Sequence, residues 1–149
     1  MKNLLPTTML LFGLMALLPA CKREKKERKT IEEYVSEKKL VGDFTPSGLF
    51  FTIDEPGTGG NPKTSNTVKV EYQGYLLDGS KFDGTDPGKP IEFGLNQVIS
   101  GWQEGIPKYQ KGGKGKLIIP SALAYGSQAT GGIPRNSILV FDVYLVDWK

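Results

Sequence analysis

Val98 to Pro107 reads VISGWQEGIP, the pattern of a short helix that sets a tryptophan, Trp102, between two glycines, Gly101 and Gly105. A core helix favours Ala or Leu at such flanks, because each Gly weakens a helix by roughly 0.5–1 kcal/mol. Helix stability therefore did not choose them. The surrounding chain reads as strands. Upstream, Leu49, Phe51 and Ile53 share one face, and Val68, Val70 and Tyr72 alternate with Lys69 and Glu71. Asp78-Gly79 lies between two such runs and marks a hairpin, since Gly tolerates positive φ. Downstream, KGKLIIP (Lys114 to Pro120) and ILVFDVYLVDW (Ile138 to Trp148) are further strands, the last with Leu139, Phe141, Val143 and Leu145 on one face. One short helix among about five strands makes an α+β domain, an antiparallel sheet packed on that helix.

A chain of 149 residues with 38% hydrophobic content holds one compact domain with some residues left over. Its 19 glycines and 10 prolines are scattered, which suits a fold of many turns. The net charge of +3 is small, and no basic, aromatic-laced groove argues for nucleic acid. There is no histidine. That removes His-based general-base catalysis, Ser–His and Cys–His nucleophiles and most zinc sites, and nothing calls for a metal or cofactor.

The N-terminus reads as a targeting segment. Lys2 precedes an apolar run from Met9 to Leu18 that is shorter than the roughly 20 residues a spanning helix needs, but suits a signal-peptide core. Leu18-Pro19-Ala20-Cys21 closes the run with the chain's single cysteine. This resembles the lipobox of bacterial lipoproteins: residues 1–20 would be removed, and Cys21 would carry a lipid that holds the domain to a membrane outside the cytoplasm. The alternative is a secretory signal with an incidental thiol. Lys22 to Lys29, with six basic and two acidic residues, reads as a solvated linker, or as a basic segment drawn to anionic headgroups by about 1 kcal/mol per charge. Ile31, Tyr34, Val35 and Lys38 then fall at helical spacing, so residues 21–46 are expected to hold the lipidated cysteine, the linker and a short helix.

Within residues 47–149 the aromatics Tyr72, Phe82, Trp102, Tyr125 and Phe141 sit at strand ends and loop junctions, where sheets open into ligand pockets. Phe93 reads as core. VEYQGYLLDGSKFDGT (70–85), GKPIEF (88–93), QVISGWQEGIP (97–107), LAYGSQATGGIP (123–134) and ILVFDVYL (138–145) resemble, in order and spacing, the motifs of FKBP-type peptidyl-prolyl cis–trans isomerases. The chain is also similar to the secreted, membrane-associated bacterial members. The resemblance implies a strongly twisted antiparallel sheet of five to six strands wrapped around one short helix, with Trp102 as the floor on which a substrate proline sits. Tyr72, Phe82 and Phe141 match the aromatic walls, and Val98 and Ile99 the apolar edge, the Ile99 N–H donating to a substrate carbonyl. Asp83 matches the buried carboxylate, either orienting the pocket or acting directly on the carbonyl. Tyr125 matches the hydroxyl that bonds the carbonyl before proline, and Ile133 an apolar residue in the loop over the pocket.

Two departures bear on substrate preference. Ile91 stands where many members have a wall phenylalanine, and the loop Ser127 to Gly132 is a residue shorter and lacks a histidine often found there. The implied partners are proline-containing exported polypeptides and the family's macrolide inhibitors, with the protein a monomer. A different class of function, a non-catalytic proline-binding module or holdase chaperone using the same cleft, stays open at this point.

Overall fold

The computed structural model describes residues 17–149. Residues 1–16 of the expected leader lie outside the described residues. Helix α1 (Leu17–Glu37) leads into strands β1 (Asp43–Phe44), β2 (Phe50–Phe51), β3 (Thr67–Leu76), β4 (Lys81–Gly84) and β5 (Ile91–Gly94). Helix α2 (Ser100–Gly105), β6 (Lys114–Ile119) and β7 (Leu139–Trp148) follow. The strands form one antiparallel sheet in the order β1-β2-β6-β7-β3-β4, with β5 also paired to β3. The sheet has seven strands rather than five to six. The strand that no pattern announced is β1, two residues long and too short to show alternation in sequence, whereas β2 is the core of the run read at Leu49 to Ile53.

Strand β3 organises the hairpins. Its first half pairs with β5 (Val68 opposite Phe93) and its second half with β4 (Gly74 opposite Asp83). The turn between β3 and β4 is the one Asp78-Gly79 announces: Gly79 takes φ +87°, and Asp78 accepts from the Ser80 N–H at 2.9 Å.

Side chains alternate across the pleat, so β6 and β7 supply two cores. Leu117, Ile119, Leu139, Phe141, Val143 and Leu145 face α2, joined by Val68 and Val70 and by Trp102 and Ile106 of the helical segment. Ile118 and Val140 point the other way and pack with Phe50, Ile138 and Ile31 of α1. Ile53, read on one strand face with Leu49 and Phe51, lies beyond the end of β2 and is exposed.

The glycines of the 98–107 stretch explain themselves here. A Cβ on Gly101 would lie 2.4 Å from Ile119 Cγ2, and one on Gly105 2.7 Å from the Leu117 methyls. Helix α2 sits on the sheet at a distance that no side chain permits, and this close seat fixes where Trp102 points.

The charged run is not a separate linker followed by a short helix. It is continuous helix from Leu17 to Glu37, about 30 Å long. Pairs at i and i+4, Arg28–Glu32 at 2.8 Å and Lys29–Glu33 at 3.7 Å, support it weakly. Docking supports it more. Ile31 is fully buried and the Arg28 guanidinium lies 3.4 Å over the Phe44 ring. No helix among the described residues is long and apolar enough to cross a membrane.

Candidate active site

Trp102, 5% exposed, is the hub of the aromatic cluster. Its ring centroid lies 5.0 Å from that of Tyr72 and 5.2 Å from that of Phe141, both nearly edge-on, and 5.6 Å from that of Phe93. Phe82 meets Phe141 edge-on at 5.6 Å. Such pairs add about 0.5–1.5 kcal/mol each beyond burial, and together they hold the floor and two walls in one orientation. Gly74 makes room for them, since a Cβ there would meet the Phe82 ring at 2.8 Å.

Above these rings is a half-open, mainly apolar cavity of about 460 Å³. The structure brings Tyr72, Phe82, Asp83, Ile91, Val98, Ile99, Trp102, Tyr125 and Phe141 to it. Ile133 is not among its lining residues. It is 6% exposed and packs into the core beside α2, because the Thr130–Ile133 bridge turns the loop back on itself. Phe93, read as core, lines the cavity, as does Gln97. The register explains Phe93: it sits opposite Val68 at the end of β5 that runs into the turn before α2.

The polar groups stand at the rim. Tyr72 Oη donates to Asp83 Oδ2 at 2.6 Å, and the Gly84 N–H donates to Oδ1 at 2.8 Å. Burial, and then the bond to Asp83, push the Tyr72 phenol well above its ordinary pKa. Asp83 was expected to be buried and is exposed. It lies on β4, an edge strand of four residues that no further strand covers. What fixes it is hydrogen bonding. Beyond it, Thr85 N–H donates to the Tyr72 carbonyl at 3.0 Å and Gln73 Nε2 to the Thr85 carbonyl at 2.7 Å, which extends the β3–β4 pairing past the cleft.

On the opposite rim, Ile99 precedes α2. Its carbonyl accepts from the N–H groups of Trp102 at 3.0 Å and Gln103 at 3.2 Å, while among the described residues nothing accepts its own N–H. The Val98 carbonyl is held at 2.8 Å by Gln103 Nε2, a brace that no motif announced. Ile91 and Tyr125 are 43% and 41% exposed at the mouth. The arrangement offers an apolar floor with a free amide and a phenol at its edges, suited to a compact apolar group flanked by carbonyls.

Residues 59–146 match the FKBP-type peptidyl-prolyl cis–trans isomerase family. This chain belongs to that family. It is similar to the FKBP-type isomerase FkpA of Aeromonas hydrophila, 48% identical over 122 residues that cover 80% of this chain and 46% of the relative. FkpA of Escherichia coli K12 is 46% identical over 131 residues, 87% of this chain and 48% of the relative. The chain thus spans about half the length of these curated relatives. Among solved structures, FkpA from Escherichia coli superimposes with a TM-score of 0.74 at 40% identity, over 95% of this chain and 74% of that one. A peptidyl-prolyl cis–trans isomerase from Pseudomonas syringae does so with a TM-score of 0.72 at 32% identity, over 86% and 95%. The sheet wrapped on one short helix is therefore the FKBP fold.

Proposed function

We propose that this chain accelerates cis–trans rotation about X–Pro bonds in exported polypeptides, held by a lipid on Cys21 at a membrane outside the cytoplasm. The observation that carries the catalytic reading is the cluster of Tyr72, Phe82, Phe93 and Phe141 rings around Trp102 lining a half-open, mainly apolar cavity. A proline ring rests on the Trp102 indole, with Tyr72, Phe82 and Phe141 as walls. The Ile99 N–H donates to a substrate carbonyl, and the Tyr125 hydroxyl to the carbonyl before proline. Asp83 acts by holding the Tyr72 phenol in the wall, and Ile91 and Val98 meet the flanking side chains.

Peptide-bond rotation has a barrier of about 18–20 kcal/mol because resonance gives the C–N bond double-bond character, and X–Pro exchange takes tens to hundreds of seconds unaided. No covalent bond need break. An apolar cleft removes water that stabilises the planar, polar amide, and one shaped for the twisted amide binds that state better. The same surface accommodates a macrolide of the kind this family binds. The lipid reading is supported by the sequence at 18–21 and by Cys21 lying exposed on α1.

The test measures the cis-to-trans rate of a short X–Pro–Phe peptide with the full-length chain and its Tyr125→Phe variant. Acceleration that falls in the folded variant supports the reading. A folded chain that binds the peptide without acceleration makes it a binding module instead. Mass spectrometry of the mature N-terminus is expected to show a lipid-modified Cys21, and an unmodified start downstream of it would remove the anchor.

A further inference from the structure

Glu27 of α1 is a buried carboxylate, 8% exposed and 94 positions in sequence from its partner. Its Oε2 accepts the Ser121 N–H at 2.8 Å and its Oε1 the Ser121 hydroxyl at 2.6 Å. Among the described residues no cation pairs with it. The adjacent Arg28 bonds Glu32 and covers Phe44. A carboxylate withdrawn from water without a countercharge is costly unless hydrogen bonds satisfy its oxygens, and such charge-assisted bonds are the stronger kind. The two bonds to Ser121 are what make Glu27 tolerable there. Ile31, four residues on and so on the same helix face, is fully buried and fixes the rotation of α1 that aims Glu27 at Ser121.

Ser121 is 1% exposed and opens the single turn Ser121–Leu123. Its carbonyl accepts the N–H groups of Ala124 at 3.0 Å and Gly126 at 2.9 Å, the two residues that flank Tyr125. The Gly126 carbonyl in turn accepts the Asn136 N–H at 2.7 Å. The Tyr125 side chain has little hold of its own: it is 41% exposed, and its hydroxyl has no hydrogen-bond partner among the described residues, the one local bond being from the Gln128 N–H to its carbonyl at 3.1 Å. Its backbone sets its place at the cleft mouth, and that backbone hangs from Ser121.

We propose that Glu27 is a positioning residue for the cleft, the point at which the helix preceding the FKBP domain clamps the loop that carries Tyr125. This rests on the isomerase reading above and extends the catalytic framework to a segment that the family match, beginning at residue 59, does not include.

The test compares the full-length chain with Glu27→Gln, Glu27→Ala and Ser121→Ala, each alone and combined with Tyr125→Phe. Two readouts are used, amide hydrogen exchange at Ala124 and Gly126, and kcat and KM on the proline peptide. In folded Glu27→Ala those two amides are expected to exchange about tenfold faster while the amides of β7 keep their protection. The value of kcat is expected to fall on the order of tenfold with KM little changed, and the Glu27 substitution should add little in the Tyr125→Phe background, because both act through one phenol. If Glu27→Ala does not fold, Glu27→Gln and Ser121→Ala give the same two readings at smaller amplitude. Unchanged exchange at Ala124 and Gly126 in the folded variants, or effects that add fully to that of Tyr125→Phe, would overturn the proposal. A wild-type chain without isomerase activity defeats the functional reading alone, and the exchange arm still decides the clamp.

Discussion

The two faces of the sheet are covered by helices of opposite character. On the inner face six residues of α2 lie so close that Gly101 and Gly105 touch Ile119 and Leu117 with no room for a Cβ, and one large ring, Trp102, does the filling. On the outer face the 21 residues of α1 stand off on side chains, with Ile31 in the core, Arg28 over Phe44 and Glu27 bonded to Ser121. The first contact tolerates almost no change of volume. The second is a few anchors on a helix otherwise in water, so it is easier to break locally and gentler in its consequences.

The largest effect is expected from Trp102→Ala. Emptying the hub of the inner face costs about 3–5 kcal/mol in denaturant unfolding, and X–Pro acceleration is lost even where the variant stays folded. Ile31→Ala makes the corresponding cut on the outer face. It is expected to lower stability by about 2–5 kcal/mol, while the aromatic proton shifts of Trp102, Phe82 and Phe141 stay in place. Shifts that move together with those of Trp102→Ala would mean that the two faces are one unit. Gly101→Ala tests the close seat directly. The added methyl must displace Ile119 or lift α2, at about 1–3 kcal/mol, and the Trp102 ring shifts should report the tilt.

The smallest effect concerns pH. Tyr72 and Tyr109 both have pKa values raised by burial, the first further by its bond to Asp83. A group whose folded pKa lies above its unfolded one contributes fully below the unfolded value and loses that contribution as pH rises towards the folded one. Stability should therefore hold up to about pH 10, the ordinary phenol value, and decline above it. In a phenolate absorbance titration Tyr72→Phe should lose one late-titrating group. Loss of no late-titrating group in Tyr72→Phe would mean that Tyr72 is neither buried nor held by Asp83 in solution as the structure has it.

Most of the inner face was legible in the sequence. Alternation at Val68, Val70 and Leu139 to Leu145 identified the strands, Asp78-Gly79 the hairpin, and the five motifs in register hold most of the residues that line the cavity. Ile133 turned inward because an apolar residue in a loop carries no periodicity, and only the path of the backbone decides which way it faces; Phe93, on the short strand β5, both packs against the core and reaches the cavity, which four residues of strand do not announce. The exposure of Asp83 was not legible for a similar reason: it follows from β4 being an edge strand, and nothing local marks it as one.

The outer face was hidden. Ile118 and Val140 are single apolar residues in runs that read as strand from their neighbours, and the segment that covers them is among the most charged in the chain. By itself the sequence determined the strands, the hairpin and the single short helix, because backbone geometry ties each to a spacing of two or 3.6 residues and to particular turn residues. Only the tertiary structure decided that Gly101 and Gly105 are contact surfaces, that Phe93 faces the cleft, and that Glu27 meets Ser121. Contacts between residues 94 positions apart depend on how packed elements approach one another, and no local pattern encodes that distance.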